Sequence, residues 1–288
     1  MTRTTSDAAG SAAAIEQRVA SHYANDSLEK KILDALVASG KDPDRLEPAD
    51  LSPVDEFHTG GREATVELAA RGNFAPGSRI LDIGCGIGGA SRYFAVEGRC
   101  LVTGIDLTED YVRTAAALAV RVGLGDRVTY REASALALPF EPASFDGAYM
   151  IHVGMNIEDK PRLFAEVRRV VKRGGTFALF DIMRSGDRAP SYPMPWAETA
   201  ETSFLASPAE YRRALEAAGF EITGERDRTA YAREFFGRAV ARARAAGGPP
   251  PLGIHLLMKA GAQQKIANIL SGLDSNLIAP TEIVCRAR

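Results

Sequence analysis

The sequence predicts an α/β domain built on a mostly parallel sheet with helices on both faces. Between residues 79 and 180, short apolar runs of strand length alternate with helical patterns. The first of those runs stops at a cluster of glycines that opens a helix. Alternation of this kind indicates crossover connections, which are nearly always right-handed. The chain has 288 residues, of which 45% are hydrophobic, enough for a substantial core.

Residues 1–14 are mostly Thr, Ser, Ala and Gly with little to bury, and read as a disordered tail. Ile15, Val19 and Tyr23 make a weak helical stripe. A second helix spans about 28–39 and stops at Gly40. The Asp- and Pro-rich stretch 41–53 reads as a loop, and a helix follows over about 62–71. These segments, 15–72, form an N-terminal helical cap. Strands are expected at 79–83, 100–105, 127–130, 145–150 and 176–180. Helices at about 89–97, 108–123 and 158–172 separate most of them. Residues 183–206, with Pro190, Pro193 and Pro195, read as an irregular insertion. Ser207 caps a helix running to Ala218, Phe220-Glu221-Ile222 begins a further strand, and Ile283-Val284-Cys285 is a candidate final strand. An Arg/Ala-rich helix at 231–247 and another ending near Leu273 lie between them. The main domain is thus 73–288, with insertions at 183–206 and 231–280.

Charge and composition exclude more than they identify. The formal net charge is −2, from 35 basic and 37 acidic residues. That removes the usual sequence-level reason to expect a nucleic-acid partner. No apolar run approaches the roughly 20 residues of a membrane span, and Met1–Ala14 has no signal-peptide pattern. Cys85, Cys100 and Cys285 have neither zinc spacing nor a disulfide pattern, so a cytoplasmic, metal-independent protein is expected. Homo-oligomer formation is left open, with the N-terminal helices and 231–280 as candidate interfaces.

The most informative stretch is Leu81-Asp82-Ile83-Gly84-Cys85-Gly86-Ile87-Gly88-Gly89. Glycines let the backbone turn with positive φ and approach a ligand closely. Asp106 closes the second strand 22 residues after Gly84, where its carboxylate can accept from two ribose hydroxyls. Gly84, Gly86 and Gly89 also satisfy a dinucleotide pattern, so an NAD(P)-dependent oxidoreductase is an alternative. Against it, Asp82 faces the loop, which suits a cationic amine better than a pyrophosphate.

Asp82-x-Gly84-x-Gly86-x-Gly88 resembles motif I of class I S-adenosylmethionine-dependent methyltransferases. Gly104-Ile105-Asp106-Leu107, Leu138-Pro139-Phe140 through Asp146, and Val167 through Gly175 resemble three further segments of that family, in the same order. The similarity is greatest to small-molecule enzymes: ubiquinone/menaquinone, tocopherol, sarcosine/glycine and natural-product methyltransferases. The resemblance implies a Rossmann-like seven-stranded sheet in the order 3-2-1-4-5-7-6, with strand 7 antiparallel. It implies S-adenosyl-L-methionine as cofactor, S-adenosyl-L-homocysteine as product, and a small, partly hydrophobic acceptor methylated at C, N or O. A fold that binds the cofactor without catalysis is a further alternative. Gly84, Cys85, Gly86, Gly88, Asp106, Leu107, Ala133 and Ser134 would cradle the cofactor, with Asp82 supporting its amine. Ser134 stands where many relatives carry an Asp that accepts from adenine.

His152, just past the fourth strand, is the candidate base, or else part of the cofactor's surroundings. His58 is a weaker alternative. Tyr23 is expected near the methionine end of the cofactor. Asn156, Tyr192, Trp196, Phe204 and His255 are candidate acceptor contacts.

Overall fold

The computed structural model describes residues 5–25, 27–248, 250–258 and 260–288. Seven strands form one sheet: β1 (Arg79–Ile83), β2 (Leu101–Asp106), β3 (Val128–Glu132), β4 (Phe145–Ile151), β5 (Val171–Arg184), β6 (Phe220–Asp227) and β7 (Ile278–Ala287). Their order is β3-β2-β1-β4-β5-β7-β6. β7 runs antiparallel to both neighbours, and the other pairs are parallel. This is the expected architecture.

The helices are α1 (Thr5–Tyr23), α2 (Leu28–Ala38), α3 (Ser52–Asp55), α4 (Gly61–Gly72), α5 (Gly89–Val96), α6 (Glu109–Arg121), α7 (Lys160–Val170), α8 (Pro208–Ala217), α9 (Thr229–Ala245), α10 (His255–Met258) and α11 (Ala262–Asp274). No helix among the described residues is long and apolar enough to cross a membrane.

The central strands are buried on both faces, which is why they read as continuous apolar runs. On one face, Leu163, Phe164 and Val167 of α7 and Tyr211 and Leu215 of α8 pack against Leu81, Ala148 and Phe177. On the other, Leu68 of α4 and Phe94 of α5 pack against Ile80, Val102 and Phe180. The α8 start follows from its sequence: Ser207 and Glu210 form a reciprocal capping box ahead of Pro208. Glu282, fully buried on β7, is held by Arg226 and Arg228, and Glu67 of α4 joins the same pair. The network fastens α4 to the far edge of the sheet.

Two smaller cores lie beyond the strand ends. One joins α2 and α3 to Tyr111 and Leu118 of α6 and to Leu252 and Leu257. The other joins Met155, Trp196, Phe236, Ile269 and Leu273. Both lie on the side where β1 and β4 end.

Three expectations are corrected. Helix α1 begins at Thr5, so the disordered tail expected over 1–14 is helical from residue 5, while 1–4 lie outside the described residues. Alanine's high helix propensity outweighs the lack of apolar side chains there. The loop expected at 41–53 contains a 3-10 turn, Pro48–Leu51, and the start of α3. β5 is longer than 176–180 because Val171 already pairs with Phe145 and the strand continues beside β7 to Arg184.

Candidate active site

One cavity of about 220 Å³ lies over the C-terminal ends of β1, β2 and β4. Its first wall is the glycine loop. Gly84 adopts φ +72°, and a Cβ there would stand 2.2 Å from Val153 Cγ2. Only glycine meets both conditions. Gly84 and Cys85 donate their backbone N–H groups to Ile105 O at 2.8 Å, which ties the loop to β2. Asp106 completes this end. Its carboxylate accepts from Gly86 N and from Thr108 N, each at 2.9 Å. Each oxygen keeps a lone pair for a further donor. Burial raises the Asp106 pKa, opposed by those backbone donors.

Asp82 faces the cavity and accepts from Ser91 Oγ at 2.6 Å. Burial pushes its carboxyl up to about 7, so a cationic partner would draw it to the charged form. Cys85 also lines the wall, with a thiol raised by burial and by the Asp106 and Asp82 carboxylates. It is therefore a packing residue without nucleophilic character.

His152 sits between the two ends. Its backbone is left-handed at φ +54°, and its N–H is held by Phe180 O at 2.7 Å. That conformation is costly for histidine and points to a functional demand. The ring packs on Phe180, 4.8 Å between centroids, and Nε2 is buried without a hydrogen-bond partner. Burial and nearby His58 hold its pKa well below the ordinary histidine value. His152 is thus a neutral imidazole that lines the cavity, with its Nε2 buried and without a hydrogen-bond partner.

His58 differs. Its Nε2 lies 2.9 Å from Glu56 Oε2 and 3.1 Å from Thr65 Oγ1, and its Nδ1 lies 3.2 Å from Thr59 O. Burial alone would raise Glu56, but hydrogen bonds from His58 and Thr65 outweigh it and lower its pKa. Both ring nitrogens of His58 are engaged by the protein. The ring centroids of His58 and His152 are 5.8 Å apart, so His58 supports the wall while His152 carries the free nitrogen.

Of the expected residues, Tyr23, His58, Asp82, Gly84, Cys85 and Gly86 line the cavity, as do Asp106, Leu107, Ala133, His152, Asn156 and Trp196. Tyr23 donates to Asn156 Oδ1 at 2.9 Å. Asn156 donates to Trp196 O and Thr202 O at 2.8 and 3.0 Å. Its amide therefore fastens α1 and the 183–206 segment to the site, with its donors already in use. Five residues lie off the wall. Gly88 packs beneath Tyr130, where a Cβ would lie 2.3 Å from the hydroxyl. Ser134 donates to Glu16 on α1. Tyr192 packs with the Trp196 core. Phe204 uses its backbone, donating to Met155 O at 2.7 Å and accepting from Lys160 Nζ at 2.8 Å. His255 starts α10 between the lining Ile254 and Leu257 but is not itself on the wall.

Sequence reasoning missed Glu16, Tyr111 and the aromatic pair Phe235–Phe236, all of which line the cavity. Tyr111 OH is buried without a partner. Its position shortly after Asp106, on the helix leaving the cofactor end, was the available signal. The others come from distant segments and had none.

The residues present fit a nucleoside cofactor with an amino-acid tail. The wall offers a carboxylate with spare acceptor capacity at Asp106, apolar faces at Leu107, Ala133 and Leu136, and a second carboxyl at Asp82.

Comparison with known proteins agrees with the sheet order and the loop. Residues 81–179 match the methyltransferase domain family. The chain is 33% identical over 171 residues to phosphoethanolamine N-methyltransferase 1 of Arabidopsis thaliana, covering 59% of this chain and 34% of that one. It spans 30% to 49% of the length of the first curated relatives it matches. Phosphoethanolamine N-methyltransferase 2 of Haemonchus contortus, in complex with S-adenosyl-L-methionine, has a similar fold. The TM-score is 0.66 at 21% identity, over 81% of this chain and 54% of that one. Geranyl diphosphate C-methyltransferase of Streptomyces coelicolor A3(2) is similar over 95% of this chain and 98% of that one, with TM-score 0.69 and 16% identity. Residues 81–179 are a class I S-adenosyl-L-methionine-dependent methyltransferase domain.

Proposed function

We propose, with that domain as premise, that the whole chain transfers a methyl group to a small organic acceptor. The bound cofactor supplies an activated methyl group on a sulfonium. Asp106 accepts from the ribose hydroxyls, the Leu107–Ala133–Leu136 surface receives adenine, and Asp82 faces the amine. The rest of the work is positioning and exclusion of water, and orientation alone can contribute on the order of 7–11 kcal/mol. Helix α1, residues 183–206 and residues 231–280 act as the lid that supplies both.

His152 takes the proton that the acceptor loses. The observation that carries this reading is the neutral His152 ring, with no protein partner on Nε2, lining a cavity that joins the Asp106 end to an apolar end. A base held in place contributes roughly 10²–10⁴ in rate. His152→Ala is expected to lower turnover at least tenfold, while S-adenosylhomocysteine affinity, read by calorimetry, stays within threefold. Equal loss of both would assign His152 to the cofactor's surroundings instead.

A further inference from the structure

We propose that the acceptor is a hydrophobic molecule carrying no phosphate, diphosphate or carboxylate, an inference that rests on the cofactor reading above. Two properties of the cavity point to it. The first is the chemistry of the wall away from Asp106. Trp196, Phe235, Phe236, Leu257, Ile266 and Ile269 line it, drawn from the 183–206 segment, α9, α10 and α11. Such a wall removes apolar surface from water and offers an anion nothing.

The second is the sign of the charge. Among the described residues, the acidic side chains that line the cavity run from Glu16 on α1 to Asp159 before α7, the basic ones are the histidines His58 and His152, and no Lys or Arg lines it. Proteins hold buried phosphate with guanidinium or ammonium groups. An anion without a cation of its own, unlike the zwitterionic tail of the cofactor, would carry its desolvation cost and the repulsion of those carboxylates together.

The buried cations of neighbouring elements are committed elsewhere. Arg92 pairs with Asp55 and donates to Ile87 O at 2.8 Å. Lys160 donates to the carbonyls of Ile157 and Phe204. Lys265 donates to Met258 O at 3.1 Å and pairs with Glu198 at 2.6 Å. On the glycine loop, Gly86 N already donates to Asp106. Among the described residues, the phosphorylated compounds named in the two solved structures above would therefore find no Lys or Arg on this wall.

The chain contains one tryptophan, Trp196, and it lines the apolar end with its indole N–H donated to Ser203 Oγ at 2.9 Å. Its emission reports occupancy of that end. The test titrates the protein, saturated with S-adenosylhomocysteine, with geraniol and with geranyl diphosphate, the latter with and without Mg²⁺. The two probes share one hydrocarbon and differ in the diphosphate. Geraniol is expected to shift Trp196 emission saturably, at a half-saturating concentration at least tenfold below that of geranyl diphosphate. Equal or tighter response to the diphosphate, in either condition, overturns the proposal. So does the absence of any response to geraniol while calorimetry still shows S-adenosylhomocysteine bound. Failure of S-adenosylhomocysteine itself to bind overturns the cofactor reading, and this inference with it.

Discussion

At the cofactor end, the cavity wall is backbone and carboxylate. The glycine loop, Asp106 and Thr108 come from two adjacent parallel strands and the turns that leave them. At the acceptor end the wall is side chains, contributed by α1, the 183–206 segment, α9, α10 and α11. The first end is set by main-chain hydrogen bonds of fixed geometry. The second is set by apolar packing, which tolerates exchange of one hydrophobic residue for another. One fold can thus keep its cofactor site while the other end changes with the acceptor. His152, on the turn after β4, is where the two meet.

The largest effect is expected from breaking the rigid end. Gly84→Ala places a Cβ at positive φ and against Val153. The two costs together come to about 2–5 kcal/mol, a large share of a typical domain's stability. Chemical denaturation should show a lower midpoint. Adding Val153→Ala should recover the steric part and leave the backbone part. Full recovery would show that the left-handed conformation of Gly84 has no energetic consequence.

An intermediate effect is expected where the two ends meet, in the response to pH. Burial and His58 hold the pKa of His152 well below its ordinary value. The neutral form, which alone accepts a proton, therefore persists through neutrality into mild acid. A turnover profile should be free of a histidine break between pH 6 and 7. Linkage gives the sign for stability. As pH falls below about 6.5 the unfolded chain binds this proton before the folded one, so stability is lost. His152→Asn should flatten that acid loss, and an unchanged slope would show that His152 is not buried as described.

The smallest effect is expected at the packed end. Tyr23→Phe removes one hydrogen bond, to Asn156 at 2.9 Å, worth about 0.5–1.5 kcal/mol. It should loosen α1 with little change in S-adenosylhomocysteine affinity. A tenfold loss of that affinity would move Tyr23 from the lid to the cofactor end.

The same contrast explains what the sequence shows in advance. The strands are legible because doubly buried parallel strands are apolar runs bounded by turns. Asp82, Gly84, Gly86 and Asp106 are legible because their positions follow from one strand-helix-strand unit, β1 to β2. Glu16 is not, because only tertiary folding brings α1 over the sheet. Phe235 and Phe236 read as two residues of an Arg/Ala-rich helix, and nothing local marks the face they share with the cavity. Asn156 illustrates the limit in the other direction. Its identity suggested an acceptor contact, yet its amide donors are consumed by Trp196 and Thr202 carbonyls.

Asp106 is the proposed anchor of the nucleoside cofactor. Calorimetric titration of the wild-type chain and of Asp106→Ala with S-adenosylhomocysteine and with NAD tests it most directly. One site for S-adenosylhomocysteine, weakened at least tenfold by the substitution, and no heat from NAD, is the expected result. Equal affinity in both proteins, or binding of NAD in place of S-adenosylhomocysteine, would contradict it.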